Sequence, residues 1–173
     1  MKRSVLYLTV LTLVVMAVPA FAATQQSQFT VQASVSNNCT ISSTGINFGS
    51  YDPITANSAT GADAYANGTV TVRCTRGAAG VWIGLDAGSN SASASGTTRA
   101  MSAGGGNFLS YDLYLADPNP APGAVWGNTA ATGMSYSPAS SAATNLTVYG
   151  RTPKGQDAAA GSYSDTITAT INY

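Results

Sequence analysis

Apolar residues fall at every second position in the stretch Phe29-Thr30-Val31-Gln32-Ala33-Ser34-Val35-Ser36, which predicts an extended strand with Phe29, Val31, Ala33 and Val35 on one face. The same period of two recurs down the chain. Residues 39–41 begin a second extended segment that resumes at 46–48, and β-branched alternation marks residues 68–74. Further strands are predicted at 81–85, 107–115, 134–136 and 145–151. The last, over 163–173, turns Ile167, Ala169, Ile171 and Tyr173 inward. Gly, Pro, Asn and Ser separate these runs, with longer loops expected at 55–67 and 86–106 and a firm stop at Asp117-Pro118-Asn119-Pro120. After residue 22 no stretch holds a 3.6-residue period over a helix length, so the pattern predicts an all-β, antiparallel β-sandwich.

The first residues carry a different signal. Lys2 and Arg3 precede an apolar run over 5–18, and Ala20-Phe21-Ala22 supplies the small-x-small pattern of a signal peptidase site. This predicts a cleaved secretory signal at 1–22. A membrane anchor would need roughly 20 apolar residues and a basic flank, so no membrane span is expected after cleavage. Removing 22 of the 173 residues leaves 151, enough for one domain. Because the lead strand sits behind the polar residues 23–28, it could pair within its own sheet or leave its domain for a groove in a neighbouring subunit. The pattern alone leaves both open.

Composition narrows the chemistry. Beyond residue 22 the bases are Arg73, Arg76, Arg99, Arg151 and Lys154, and against seven Asp and no Glu they leave a net charge of −2. No basic stripe exists to displace counterions, which excludes a nucleic-acid partner. Cys39 and Cys74 are the only cysteines, read first as one disulfide in an exported chain. A metal site is the alternative, but two thiols without histidine cannot make an ordinary zinc set. No cofactor is expected. With no His and no Glu, the Ser-His-Asp and Cys-His arrangements are ruled out. The aspartates sit singly rather than as a glycosidase pair, so the chain is expected not to be an enzyme. Trp82, Trp126 and the tyrosines are read as packing and interface residues in preference to a sugar platform.

An ordered set of landmarks then resembles a known family. Cys39-Thr40-Ile41, Phe48-Gly49-Ser50-Tyr51-Asp52, Val72-Arg73-Cys74-Thr75, Arg99-Ala100-Met101, Leu109 to Tyr114, Trp126-Gly127, Val148-Tyr149-Gly150 and Gly161 to Thr166 run in the order of the spore coat protein U domain, whose members include subunits of archaic chaperone-usher pili. The resemblance implies an incomplete immunoglobulin-like sandwich lacking its last strand and completed by donor-strand complementation. It implies a donor extension at 23–36 with knobs Phe29, Val31, Ala33 and Val35, where Ala33 is smaller than the residue expected at that place. The domain would then span 37–173, with Ile167, Ala169, Ile171 and Tyr173 lining the acceptor groove and chaperone contact. The implied partners are other pilin subunits, a periplasmic chaperone and an outer-membrane usher, and the implied destination is a surface fimbrium used in adhesion and biofilm formation. A secreted spore-coat-type structural protein and a carbohydrate- or surface-binding module are the other readings.

Overall fold

The computed structural model describes residues 22–91 and 99–173; apart from Ala22, the expected signal sequence lies outside them, as does part of the expected 86–106 loop. The chain divides into two units, Met1–Ser34 and Val35–Tyr173. In the first, residues 22–34 belong to no strand, and Phe29 and Val31 are exposed. The second holds eight strands among the described residues: β1 (Cys39–Thr44), β2 (Ala64–Cys74), β3 (Val81–Leu85), β4 (Arg99–Gly104), β5 (Asn107–Tyr114), β6 (Met134–Tyr136), β7 (Thr144–Thr152) and β8 (Ala169–Asn172).

They form two antiparallel sheets, one in the order β1-β2-β7-β5-β4 and one in the order β6-β3-β8. Alternation explains the core. Val70, Val72, Val148, Tyr111 and Leu113 from the larger sheet meet Ile83 and Leu85 from the smaller one around Trp126, all of them buried. Burying each such large side chain is worth about 1.5–3 kcal/mol. Trp126 is fully enclosed and ties the sheets by backbone as well: its N–H donates to Leu113 O (2.8 Å), its indole Nε1–H to Ile83 O (2.8 Å), and Leu85 N–H donates to Gly127 O (3.1 Å).

Several expected boundaries move, each for a physical reason. Residues 46–48 join no strand, and Ile46 and Phe48 pack instead against the core. Gly68 and Gly150 make room for them: a Cβ on Gly68 would lie 2.7 Å from the Ile46 side chain, and one on Gly150 would lie 2.8 Å from the Phe48 ring. β2 starts at Ala64 inside the expected loop, since Ala64–Asn67 pair with β7. β4 likewise occupies part of the 86–106 loop, paired with β5. The expected strand at 163–173 shortens to β8, although its alternating burial begins at Tyr163. The lead strand over 29–36 joins no ladder among the described residues.

Cys39 and Cys74 are directly paired across β1 and β2 and form a disulfide, with Cα atoms 4.1 Å apart. The neighbouring bond, from Thr75 N–H to Asn38 O (2.9 Å), makes the cysteine pair a non-hydrogen-bonded one, where antiparallel side chains come closest.

Candidate functional site

Both β1 and β8 end their sheets. On the way to β8 the backbone bonds among the described residues hold the chain from one side. Ser102 exchanges two backbone bonds with Ser164 (2.9 and 3.1 Å), Ser89 N–H donates to Thr166 O (3.2 Å), and Asp86 N–H donates to Thr168 O (3.1 Å). On the final segment the bonded residues, Ser164, Thr166 and Thr168, are all even-numbered. In an extended chain alternate residues turn their N–H and C=O to opposite edges, so those of Asp165, Ile167, Ala169 and Ile171 face the edge where no strand pairs among the described residues.

Beside that edge lies a cavity of about 290 Å³. Its floor is core: Val70, Val148, Leu113 and Leu85. One wall is Ser43 to Phe48, and the other is Tyr163, Asp165, Ile167 and Ala169. A second hollow of about 810 Å³ continues from the first through Ile46, Phe48, Met101 and Tyr163 toward Ile54 and the Ala158-Ala159-Ala160 loop. The walls are thus two non-adjacent segments over an apolar bed, the shape an added strand would complete.

Polar groups fix these walls. Asp86 anchors the approach to β8, its Oδ1 accepting from Thr168 N–H (2.9 Å) and Gly88 N–H (3.1 Å). Partial burial works to raise its pKa, but the bonds from Thr168 and Gly88 and the charge of Arg99 outweigh it and hold the carboxyl below its ordinary value. Arg99, 1% exposed, crosses between the sheets and donates from Nε to Asp86 O (2.9 Å) and from Nη2 to Leu85 O (3.0 Å) and Trp126 O (2.7 Å). Tyr111, on the floor, donates its hydroxyl to Asp165 Oδ2 (2.8 Å). Burial first, and then that bond to a carboxylate, push the phenol far above its ordinary pKa, so it stays a donor. Farther along, Gln156 completes β5 where β7 has ended, its side-chain amide accepting from Ser110 N–H (2.7 Å) and donating to Ser110 O (3.0 Å). Tyr51 closes the same corner, donating to Pro153 O (2.9 Å) and accepting from Gln156 N–H (3.1 Å).

Of the residues singled out in the sequence, Ile167 and Ala169 line the cavity. Ile171 packs against the core beneath the same edge, and Tyr173 is 55% exposed and lines neither hollow. Phe29, Val31 and Val35 are 83–87% exposed, and Ala33 is exposed with them. Sequence reasoning missed the opposite wall, Ile46 and Phe48, and the charged residues Arg99 and Asp165. Asp165 was within reach: it shares parity with Ile167 and is the one charged residue on that face of the final segment. Arg99 could have been flagged as a lone cation in a run of Ala, Ser and Gly.

Comparisons with known proteins agree with the landmarks. The Spore Coat Protein U domain model matches residues 25–170. Protein U of Myxococcus xanthus is 35% identical over 162 residues, covering 90% of this chain and 88% of that protein. Among solved structures, the crystal structure of the CsuC-CsuE chaperone-tip adhesion subunit pre-assembly complex from archaic chaperone-usher Csu pili of Acinetobacter baumannii aligns at 22% identity with a TM-score of 0.48 over 80% of this chain. This chain spans 40% of the length of that one. On the family model and the curated relative together, the chain belongs to the Spore Coat Protein U domain family.

Proposed function

We propose that this protein is a structural subunit that polymerises by strand donation, residues 29–35 of one copy filling the groove of the next. It acts as a binding element rather than a catalyst. Residues 1–22 serve as the export signal, 23–36 as the donor extension and 37–173 as the acceptor domain. A periplasmic chaperone occupies the groove before assembly and an outer-membrane usher exchanges it for a neighbour's extension, giving surface fibres suited to adhesion and biofilm formation.

The observation that carries the reading is the edge formed by Asp165, Ile167, Ala169 and Ile171, unpaired among the described residues and set beside a cavity with an apolar floor. Edges of this kind invite another chain, and proteins usually blunt them. Here the same chain also exposes three large apolar side chains at alternate positions, the form a donated strand takes. Backbone bonds would supply generic affinity, and each large knob buried adds about 1.5–3 kcal/mol.

The test is assembly on the cell surface with Phe29→Asp and Val31→Asp. Unboiled samples of the unaltered protein should run as a ladder of multimers that boiling collapses. Both variants should lose the ladder while still co-purifying with the chaperone, which fills the groove without needing this subunit's extension. Ordinary multimers from both variants would defeat the proposal.

A further inference from the structure

One charged residue stands in the otherwise apolar and hydroxyl-bearing lining of the first cavity. The Asp165 carboxylate is fixed there by donors: Ser89 N–H (2.9 Å), Asn90 Nδ2 (3.1 Å) and Thr166 N–H (2.8 Å) on Oδ1, and Tyr111 OH (2.8 Å) on Oδ2. Gly88, with φ of 83°, leaves the space the carboxylate occupies, and a Cβ there would collide with it. The group therefore cannot swing aside when a strand arrives. A bulky apolar knob set against it would strip its remaining water without offering a bond, which is costly for an ionised carboxylate.

We infer that Asp165 sets the register of the incoming strand: residue 33 of a second copy lies opposite Asp165, in an antiparallel pairing that places Phe29 beside Ala169, Val31 beside Ile167 and Val35 beside Tyr163. This rests on the strand-donation reading and specifies its geometry. The wall presents Tyr163, Asp165, Ile167, Ala169 and Ile171 at alternate places, and the donor presents Phe29, Val31, Ala33 and Val35. Among the pairings that keep every knob beside a member of that row, only this one sets Ala33 against the carboxylate. The other antiparallel choice sets Val35 there, and the parallel ones set Phe29 or Val31. The selected pairing also gives the largest knob the smallest wall residue, so volumes interlock along the groove. The small side chain at position 33 is then a fitted partner for a fixed charge.

Charge variants at position 33 test the inference in the full-length, exported chain. With Asp165 in place, Ala33→Glu should assemble at least about tenfold more slowly than Ala33→Lys, because like charge opposes and unlike charge favours the approach. In Asp165→Asn the two should come within about twofold, the mark of direct coupling between the positions. A difference that persists undiminished in Asp165→Asn overturns the register. A second measurement does not depend on altering Asp165: under mild oxidation, Phe29→Cys should cross-link between subunits to Ala169→Cys and not to Ile171→Cys. The reverse preference overturns the register as well. Phe29→Asp separates the two levels of the argument. If it assembles normally, strand donation itself fails; if it blocks assembly while the position-33 variants or cross-links behave otherwise than stated, only the register fails.

Discussion

Residues 29–35 and 163–171 both alternate apolar with polar positions, Asp165 being the exception on the inward face of the second, yet the first stretch is exposed throughout and the second half-buries every other side chain. The difference lies in their neighbours. The final segment has a backbone to lean on at each even position, supplied by Ser102, Ser89, Asp86 and β3, and an apolar bed under Ile167 and Ala169. The lead segment has the side chains of a strand and, among the described residues, no ladder. A period of two therefore specifies which face of a segment is apolar, while burial requires a partner that the pattern does not name. One stretch of this chain exposes such a face and another leaves an edge beside a cavity, and the strand donation proposed above would join the two across copies.

If support from neighbours separates the two segments, removing the support should cost the second segment and leave the first untouched. The largest such effect is expected at Arg99, whose guanidinium holds Leu85 O, Asp86 O and Trp126 O at the turn where the final segment is pinned. Arg99→Met should destabilise the domain by about 3–5 kcal/mol, because it abolishes charge-assisted bonds to buried carbonyls and leaves those carbonyls without a donor. Denaturant unfolding measures it. Amide exchange should show residues 164–169 opening first, with residues 29–35 unchanged. A cost below about 1 kcal/mol would mean that Arg99 is not what keeps the segment in place.

Next comes the disulfide, which secures the opposite edge of the groove. Cys39 and Cys74 enclose a loop of 35 residues in sequence separation, and replacing both by alanine should cost about 3–4 kcal/mol on the chain-entropy account. The loss should appear as a lower yield of folded subunit and a lower unfolding midpoint. The pairing was legible in advance, since two cysteines behind an expected export signal, in a chain with no histidine, leave few alternatives. The strands with strong alternation, such as β3, β5 and β7, were legible too. The opposite wall was not. Ile46 and Phe48 look like strand residues, and only the close approach over Gly68 and Gly150 shows that they roof the core instead of joining a ladder. β4 was hidden for another reason: its Ala, Ser and Gly residues carry little propensity, and pairing with the strongly apolar β5 overrides their loop-like composition. Asp165 sits on the predicted inward face, but a carboxylate there becomes intelligible only with Ser89, Asn90 and Tyr111 brought against it from distant parts of the chain.

The smallest effects are electrostatic, one that Asp86 exerts on the final segment and one at Asp112 in β5. Asp86 bonds Thr168 N–H through its carboxylate, and its pKa in the folded chain lies below the unfolded value. The unfolded chain then binds the proton more readily, so the stability Asp86 contributes is fully present above about pH 4 and is lost as the pH falls through the depressed folded value. Asp112 runs the other way. Burial raises its pKa, which the charges of Arg99 and Arg151 only partly offset, so between the unfolded and folded values the native state holds the extra proton and stability falls as the pH rises. Measured by thermal unfolding from pH 7 to pH 3, Asp86→Asn should be less stable than the parent at neutral pH and converge with it below pH 4. Asp112→Asn should show the opposite trend, gaining on the parent as the pH rises. At the level of single amides, acidification should speed exchange at Thr168 before the strands of the larger sheet respond, while residues 29–35, with no carboxylate holding them, exchange freely throughout. Protection at 29–35 in the unassembled subunit would erase the contrast between the two segments, since it would mean that the lead stretch already has a partner within its own chain.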